Sequence, residues 1–147
     1  MNSTLNSSPT VFALPVRLAV EARPLWRHHA PAEGAGVSRK TAQRLCDAAM
    51  LATSAAFALP LGEVAAPTRR SPYAAFARQS AMYLAHVAFG LSYTEIGRGF
   101  RRDRTTAAYA CRLVEDWRDD PAVDVVLTSL EGACSRLRRR LVTKVQP

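Results

Sequence analysis

The residues best able to do chemistry lie together between Arg101 and Thr106, where the chain reads Arg-Arg-Asp-Arg-Thr-Thr. Arginine can grip guanine through two hydrogen bonds, and a threonine methyl can pack on the thymine methyl. Asp103 reads as the N-cap of a helix that begins just after it. The free amides of such a helix start add capacity for phosphate. The same residue types also suit a charged, solvated loop between two packed helices, so the elements around them must decide.

Those elements begin at Ser92. With Glu95 three positions on, it forms the pattern of a capping box, which satisfies orphan amides at a helix start. A short helix is expected from Tyr93 to about Arg98, ended at Gly99, where a left-handed turn costs least. A second helix is expected from Asp103 to about Trp117. In it Ala107, Ala110, Cys111, Val114 and Trp117 recur at helical spacing and make a buried stripe. Two helices joined by a tight turn, with arginine and threonines on the first turn of the second, suggest a helix-turn-helix.

The stretch resembles the C-terminal DNA-binding domain of the bacterial replication initiator DnaA, a Trp-repressor-like helix-turn-helix. The segments that carry the resemblance are ARQSAMYLA (Ala77 to Ala85), GLSYTEIGRGF (Gly90 to Phe100) and RDRTTAAYACRLVE (Arg102 to Glu115). It spans about residues 69–141, and more loosely reaches back to Ser38. The resemblance implies an all-α, Trp-repressor-like helix-turn-helix bundle that binds double-stranded DNA. Its implied contacts are Arg70 in the minor groove, Arg78 and Gln79 as a phosphate-contacting pair, and Arg101, Arg102, Asp103, Arg104, Thr105 and Thr106 at the turn and recognition helix. Two departures stand out. Arg104 occupies the place where the family usually has histidine, and Arg101 replaces its usual paired glycines, so the loop is a residue shorter.

The whole chain is consistent with a polyanion partner. Its 147 residues carry a formal net charge of +8, with a pI near 10.3, which suits nucleic acid or an acidic membrane. No apolar run is long enough to span a bilayer, and the N-terminus lacks the pattern of a secretory signal. A cytoplasmic, nucleoid-associated protein is the expectation. Cys46, Cys111 and Cys134 are widely spaced on expected apolar faces, and read as reduced core residues with no disulfide or metal framework.

Residues 1–37 read as a poorly ordered arm, polar at first and interrupted by Pro9, Pro15, Pro24 and Pro31. Val11 to Val20 could form one short element there. The adjacent His28 and His29 are poorly spaced for chelation. Residues 38–147 read as the domain, with a lead-in helix over 38–57 and a core over 69–141. Ser38 caps the lead-in helix, and Ala42, Leu45, Cys46, Ala49, Ala52 and Ala56 form its buried face. Phe57 to Val64 reads as a constrained, non-helical connection because of Pro60 and Pro67. Arg69 and Arg70 follow, suited either to an A·T-narrowed minor groove or to a solvated linker. A long helix from Tyr73 to about Phe89 is expected to turn Phe76, Ser80, Tyr83, Leu84 and Val87 inward. His86 on it reads as a phosphate contact or a surface histidine. After the break at Pro121, a last helix from Ala122 to Val142 is expected to close the core with Val123, Val126 or Leu127, Leu130, Cys134, Leu137 and Leu141.

No G-x-x-x-x-G-K-[ST] phosphate loop occurs, and the only lysines are Lys40 and Lys144. The family's ATPase module is therefore missing from this sequence, and no residue set suggests catalysis. The chain is expected to be no enzyme and to need no cofactor or metal. The leading expectation is sequence-specific double-stranded DNA binding at initiator-type sites, regulating replication initiation or transcription. The replication initiator and other replication proteins are the further partner class. The alternative is a protein-interaction module that keeps the fold without specific readout. Arg102-Asp103 and Thr105-Thr106 favour the first; Arg104 and the shortened loop leave room for the second.

Overall fold

Ser38 starts the first helix, α1 (Arg39–Ala56), by accepting a hydrogen bond from the Thr41 amide at 3.2 Å. The computed structural model describes residues 36–66 and 71–143. The expected arm over 1–37 falls almost wholly outside the described residues, as do Arg69 and Arg70. Six helices and no strand are found among the described residues, so the architecture is all-α.

α1 buries Ala42, Leu45, Cys46 and Ala49 as the spacing predicts, and continues that stripe with Met50 and Thr53. Ala52 is only half-buried and Ala56 is exposed, because the apolar stripe follows 49–50–53 around the helix. The Thr53 hydroxyl is buried at no loss, donating to the carbonyls of Ala49 and Met50 at 3.1 and 3.0 Å.

The connection after Phe57 differs from expectation: Leu61–Ala65 forms a short helix, α2. Pro60 lies at its N-cap, where a missing amide proton breaks no intrahelical bond. Val64 anchors α2 in the core. Phe57 meets Tyr73 and Phe76 edge-on at centroid distances of 5.9 and 5.3 Å, and Phe76 reaches Trp117 at 4.5 Å. This aromatic chain joins the end of α1 to the helices that follow.

α3 (Pro72–Val87) is the centre of the bundle. Ser71 caps it by accepting from the Ala74 amide at 3.0 Å, and Pro72 occupies the first position. Helices pack around it closely, since Ala74, Ala77, Ala81 and Ala85 present little bulk. The buried surface is wider than the expected single face and takes in Met82 and His86, while Val87 is 37% exposed. α4 (Tyr93–Phe100) and α5 (Arg104–Trp117) follow, then α6 (Pro121–Thr143). α6 buries Val123, Leu127 and Cys134, but Leu137 and Leu141 are 38% and 40% exposed. The apolar residues that close the core thus end at Cys134.

Arg118, just after α5, ties that helix to α3 and α6. Its guanidinium donates to Asp124 Oδ1 at 2.6 Å, Tyr83 Oη at 2.7 Å, Thr128 Oγ1 at 3.0 Å and Glu131 Oε1. Tyr83 in turn donates to Glu131 at 2.9 Å. Burial draws the Arg118 pKa down, but its bonds to Asp124 and Tyr83 outweigh this and leave it raised. Cys46, Cys111 and Cys134 are free and buried.

Candidate nucleic-acid interface

The local rules seen in the sequence build the start of α4. Ser92 Oγ accepts from the Glu95 amide at 3.3 Å, and the Ser92 amide donates to Glu95 Oε2 at 2.7 Å, completing the capping box. The helix then runs two residues past its expected end. Gly99 is helical, and the left-handed residue is Arg101, with φ 55° and ψ 48°. Arg101 thus adopts a conformation that glycine favours, at a cost of about 1 kcal/mol for a side chain bearing Cβ. Its amide donates to Arg98 O at 3.3 Å, and the Arg102 amide donates to Gly97 O at 2.7 Å. Gly97 makes room for this fold-back: a Cβ there would lie 2.7 Å from Arg102 O and 3.2 Å from Arg104 N.

The turn delivers the chain to Asp103, whose extended backbone starts α5 and whose side chain makes no capping hydrogen bond. The first-turn amides of α5 have no partner within the helix, and their dipole favours an anion. Arg101, Asp103, Arg104, Thr105 and Thr106 are all exposed, and Arg102 is half-buried with a long contact of 3.4 Å to Ala66 O. With Thr94 and Arg98 of α4, this turn and Thr106 surround an open concavity. Further along α5, Tyr109 is 60% exposed and Arg112 is exposed. Thr105, Tyr109 and Arg112 share one outward face at helical spacing.

Sequence reasoning missed Thr94, Arg98, Tyr109 and Arg112. A signal for the α5 pair was available, since they lie opposite the buried stripe of Ala107, Ala110, Cys111 and Val114. The positions on α3 also differ from expectation. Arg78 is only 7% exposed, and donates from Nε to Val64 O at 2.9 Å and from Nη2 to Glu63 O at 3.2 Å. Its guanidinium therefore fastens α2 to α3 and does not stand on the surface as a phosphate contact would. Burial, then the nearby charge of Arg102, lowers its pKa. Gln79 is half-buried, with Oε1 enclosed and lacking a hydrogen-bond partner. His86 is neither a surface residue nor placed for phosphate: it is buried, bonds Leu91 O through Nδ1 at 2.8 Å and stacks on Tyr93 at 4.4 Å. Arg70 lies outside the described residues, so its minor-groove expectation has no structural counterpart.

The assembled surface is cationic and rich in donors, and it is shaped by two helix ends. Among the described residues no group of histidine, cysteine or carboxylate side chains could hold a metal ion. No described helix is long and apolar enough to cross a membrane.

Residues 47–114 match the family model described as the bacterial dnaA protein helix-turn-helix. No curated protein matches the chain. The matched stretch starts within α1 and ends within α5, so it contains α2, α3, α4 and the turn. It takes in part of the stretch between Ser38 and Arg69, where the resemblance is looser, and stops before α6. Residues 47–114 are thus similar to a DnaA-type helix-turn-helix domain.

Proposed function

We propose that this DnaA-type helix-turn-helix binds double-stranded DNA sequence-specifically, at sites of the kind that replication initiators use. The observation that carries the reading is the exposure of Arg101, Asp103, Arg104, Thr105 and Thr106 at an N-terminus of α5 that no side chain caps. Arg104 and Thr105 enter the major groove and read base edges. Arg101, Arg102 and Thr106 hold phosphate beside them, and Asp103 faces the same groove as the only acid of the turn. Gln79 and Arg70 extend the contact on the flanks, Arg70 in the minor groove. Arg78 acts through α2, by holding the connection that leads to Arg70.

Binding of this kind regulates replication initiation through competition for initiator sites, or regulates transcription from promoters that contain them. Initiator and other replication proteins are then its neighbours on the nucleoid, in the cytoplasm. The test is Arg104→Ala and Thr105→Ala on a preferred duplex and on random DNA. Each should lose about 1–3 kcal/mol on the preferred duplex and much less on random DNA. Equal losses on both would reduce these side chains to phosphate contacts and overturn base reading.

A further inference from the structure

The last turns of α6 lie beyond its buried residues, Val123, Leu127 and Cys134. Arg136, Arg138, Arg139 and Arg140 are all exposed. No acidic residue follows Glu131 anywhere in the chain, and the carboxylates earlier on the helix, Asp124 and Glu131, are engaged by Arg118. This end of α6 is thus strongly positive, while the half against the core balances its charge locally.

One of these guanidiniums fixes where the patch lies. Arg138 Nη1 and Nη2 are each 3.6 Å from the position a Cβ on Gly90 would take. Gly90, at φ +73°, opens the connection to Ser92, the N-cap of α4. Two residues into α4, Thr94 lines the concavity that Arg101 and Arg104 share. The α6 cations therefore stand near one end of α4 and the base-reading turn at the other. An eight-residue helix at 1.5 Å per residue separates them by about 12 Å. That is the rise of three or four phosphates along one strand, at about 3.4 Å each.

We propose that the Arg136–Arg140 end of α6 is a second, sequence-independent DNA contact, gripping backbone phosphates outside the bases that α5 reads. Its placement along the duplex rests on the α5 reading. Its charge and its contact with Gly90 do not. Arginine suits the task, because its planar donors match phosphate oxygens and it keeps its charge at any physiological pH. The segment lies beyond the family match at 47–114, so it adds a flanking grip to a shared reading head.

The test uses the full chain and a variant with R136A, R138A, R139A and R140A. Two duplexes share one central site, and one is longer by a helical turn on each side. For the native chain, the extension should tighten binding and steepen the dependence on salt. The variant should bind the short duplex as the native chain does and lose the gain from extension, with its salt slope reduced by about 3 on the long duplex. A helical circular-dichroism spectrum and an unchanged unfolding midpoint show that the variant is folded. Equal binding of both duplexes by the native chain, or equal loss on both by the variant, would overturn the α6 contact. So would variant-sensitive binding to phosphatidylserine vesicles with no effect of duplex length, which would assign the patch to an acidic lipid surface. A scrambled central site separates the two readings: if it binds as well as the true site while the extension effect persists, the α5 reading fails and the α6 contact stands.

Discussion

Gly99 of α4 lies so close to Cys46 of α1 that a Cβ on the glycine would fall 2.4 Å from Sγ and 2.8 Å from Cβ of the cysteine. Gln43 Nε2 donates to Gly99 O at 3.2 Å beside the same contact. α1 thereby sets the depth of α4, and through Gly97 and the turn it also sets the position of α5. The glycine serves close packing here, where the sequence suggested a helix stop.

Replacing Gly99 by alanine should destabilise the domain by about 1–3 kcal/mol, since a packed interface must open to admit the methyl group. Denaturant unfolding would measure it. In a Cys46→Gly background both clashing atoms are gone, so the same change should cost less, as a double-mutant cycle would show. Additive effects would contradict the contact.

Arg101 combines a strained backbone with an exposed cation. Arg101→Gly should relieve the left-handed conformation and raise stability by about 0.5–1 kcal/mol, less than the full strain because glycine has more freedom to lose on folding. The same change should weaken DNA binding almost uniformly across sequences and lower the salt slope by about 1. A thermal melt beside a salt titration reads both effects. A loss confined to one sequence would make Arg101 a base reader.

The helices and much of the turn could be read from the sequence because their signals are local. Ser38 and the Ser92–Glu95 box each cap the helix they were expected to cap. The stripe from Ala107 to Val114 is buried as its spacing predicts. What could not be read depends on distant partners. Arg78 and His86 carry polar groups typical of a surface, yet they are buried because carbonyls of α2 and of the α3–α4 connection receive them. Glycine's conformational freedom alone points to Gly99 as the left-handed residue of the turn, a place that Arg101 takes. The proximity of Cys46, which is what actually requires glycine at position 99, arises only once α1 is packed. Residues 1–35 and 67–70, with Arg70 among them, lie outside the described residues.

Burial pushes the Cys46 and Cys111 thiols well above the ordinary thiol range, up to about 12. Burial likewise raises Tyr73, Tyr83 and Tyr93. The unfolded chain releases these protons at lower pH than the folded chain does. Stability from these groups is thus fully present below about pH 9 and lost as pH rises toward about 12. Unfolding midpoints measured from pH 8 upward should fall steadily above pH 9. Native thiols should also resist alkylation at pH 8 until denaturant is added. A midpoint independent of pH through this range would contradict the buried thiols.

Arg118 joins α5 to α3 and α6 through Tyr83, Asp124, Thr128 and Glu131. Its side chain is 23% exposed, so solvent screens part of the interaction. Arg118→Met, which keeps much of the bulk, should cost about 1–3 kcal/mol by removing the guanidinium from Asp124 and Tyr83 and leaving Glu131 with Tyr83 alone. Urea unfolding gives the magnitude, and amide exchange should quicken first in α6. Unchanged exchange in α6 would show that the apolar contacts of Val123 and Leu127 hold that helix alone.

The most direct measurement is the equilibrium affinity of the native chain for one initiator-type duplex and for a scrambled duplex of equal length and composition, at fixed physiological salt. Specific readout by Arg104 and Thr105 predicts a preference of at least about 10³-fold for the site. Equal affinity for the two duplexes would contradict it, and would leave a basic surface that holds DNA without reading it.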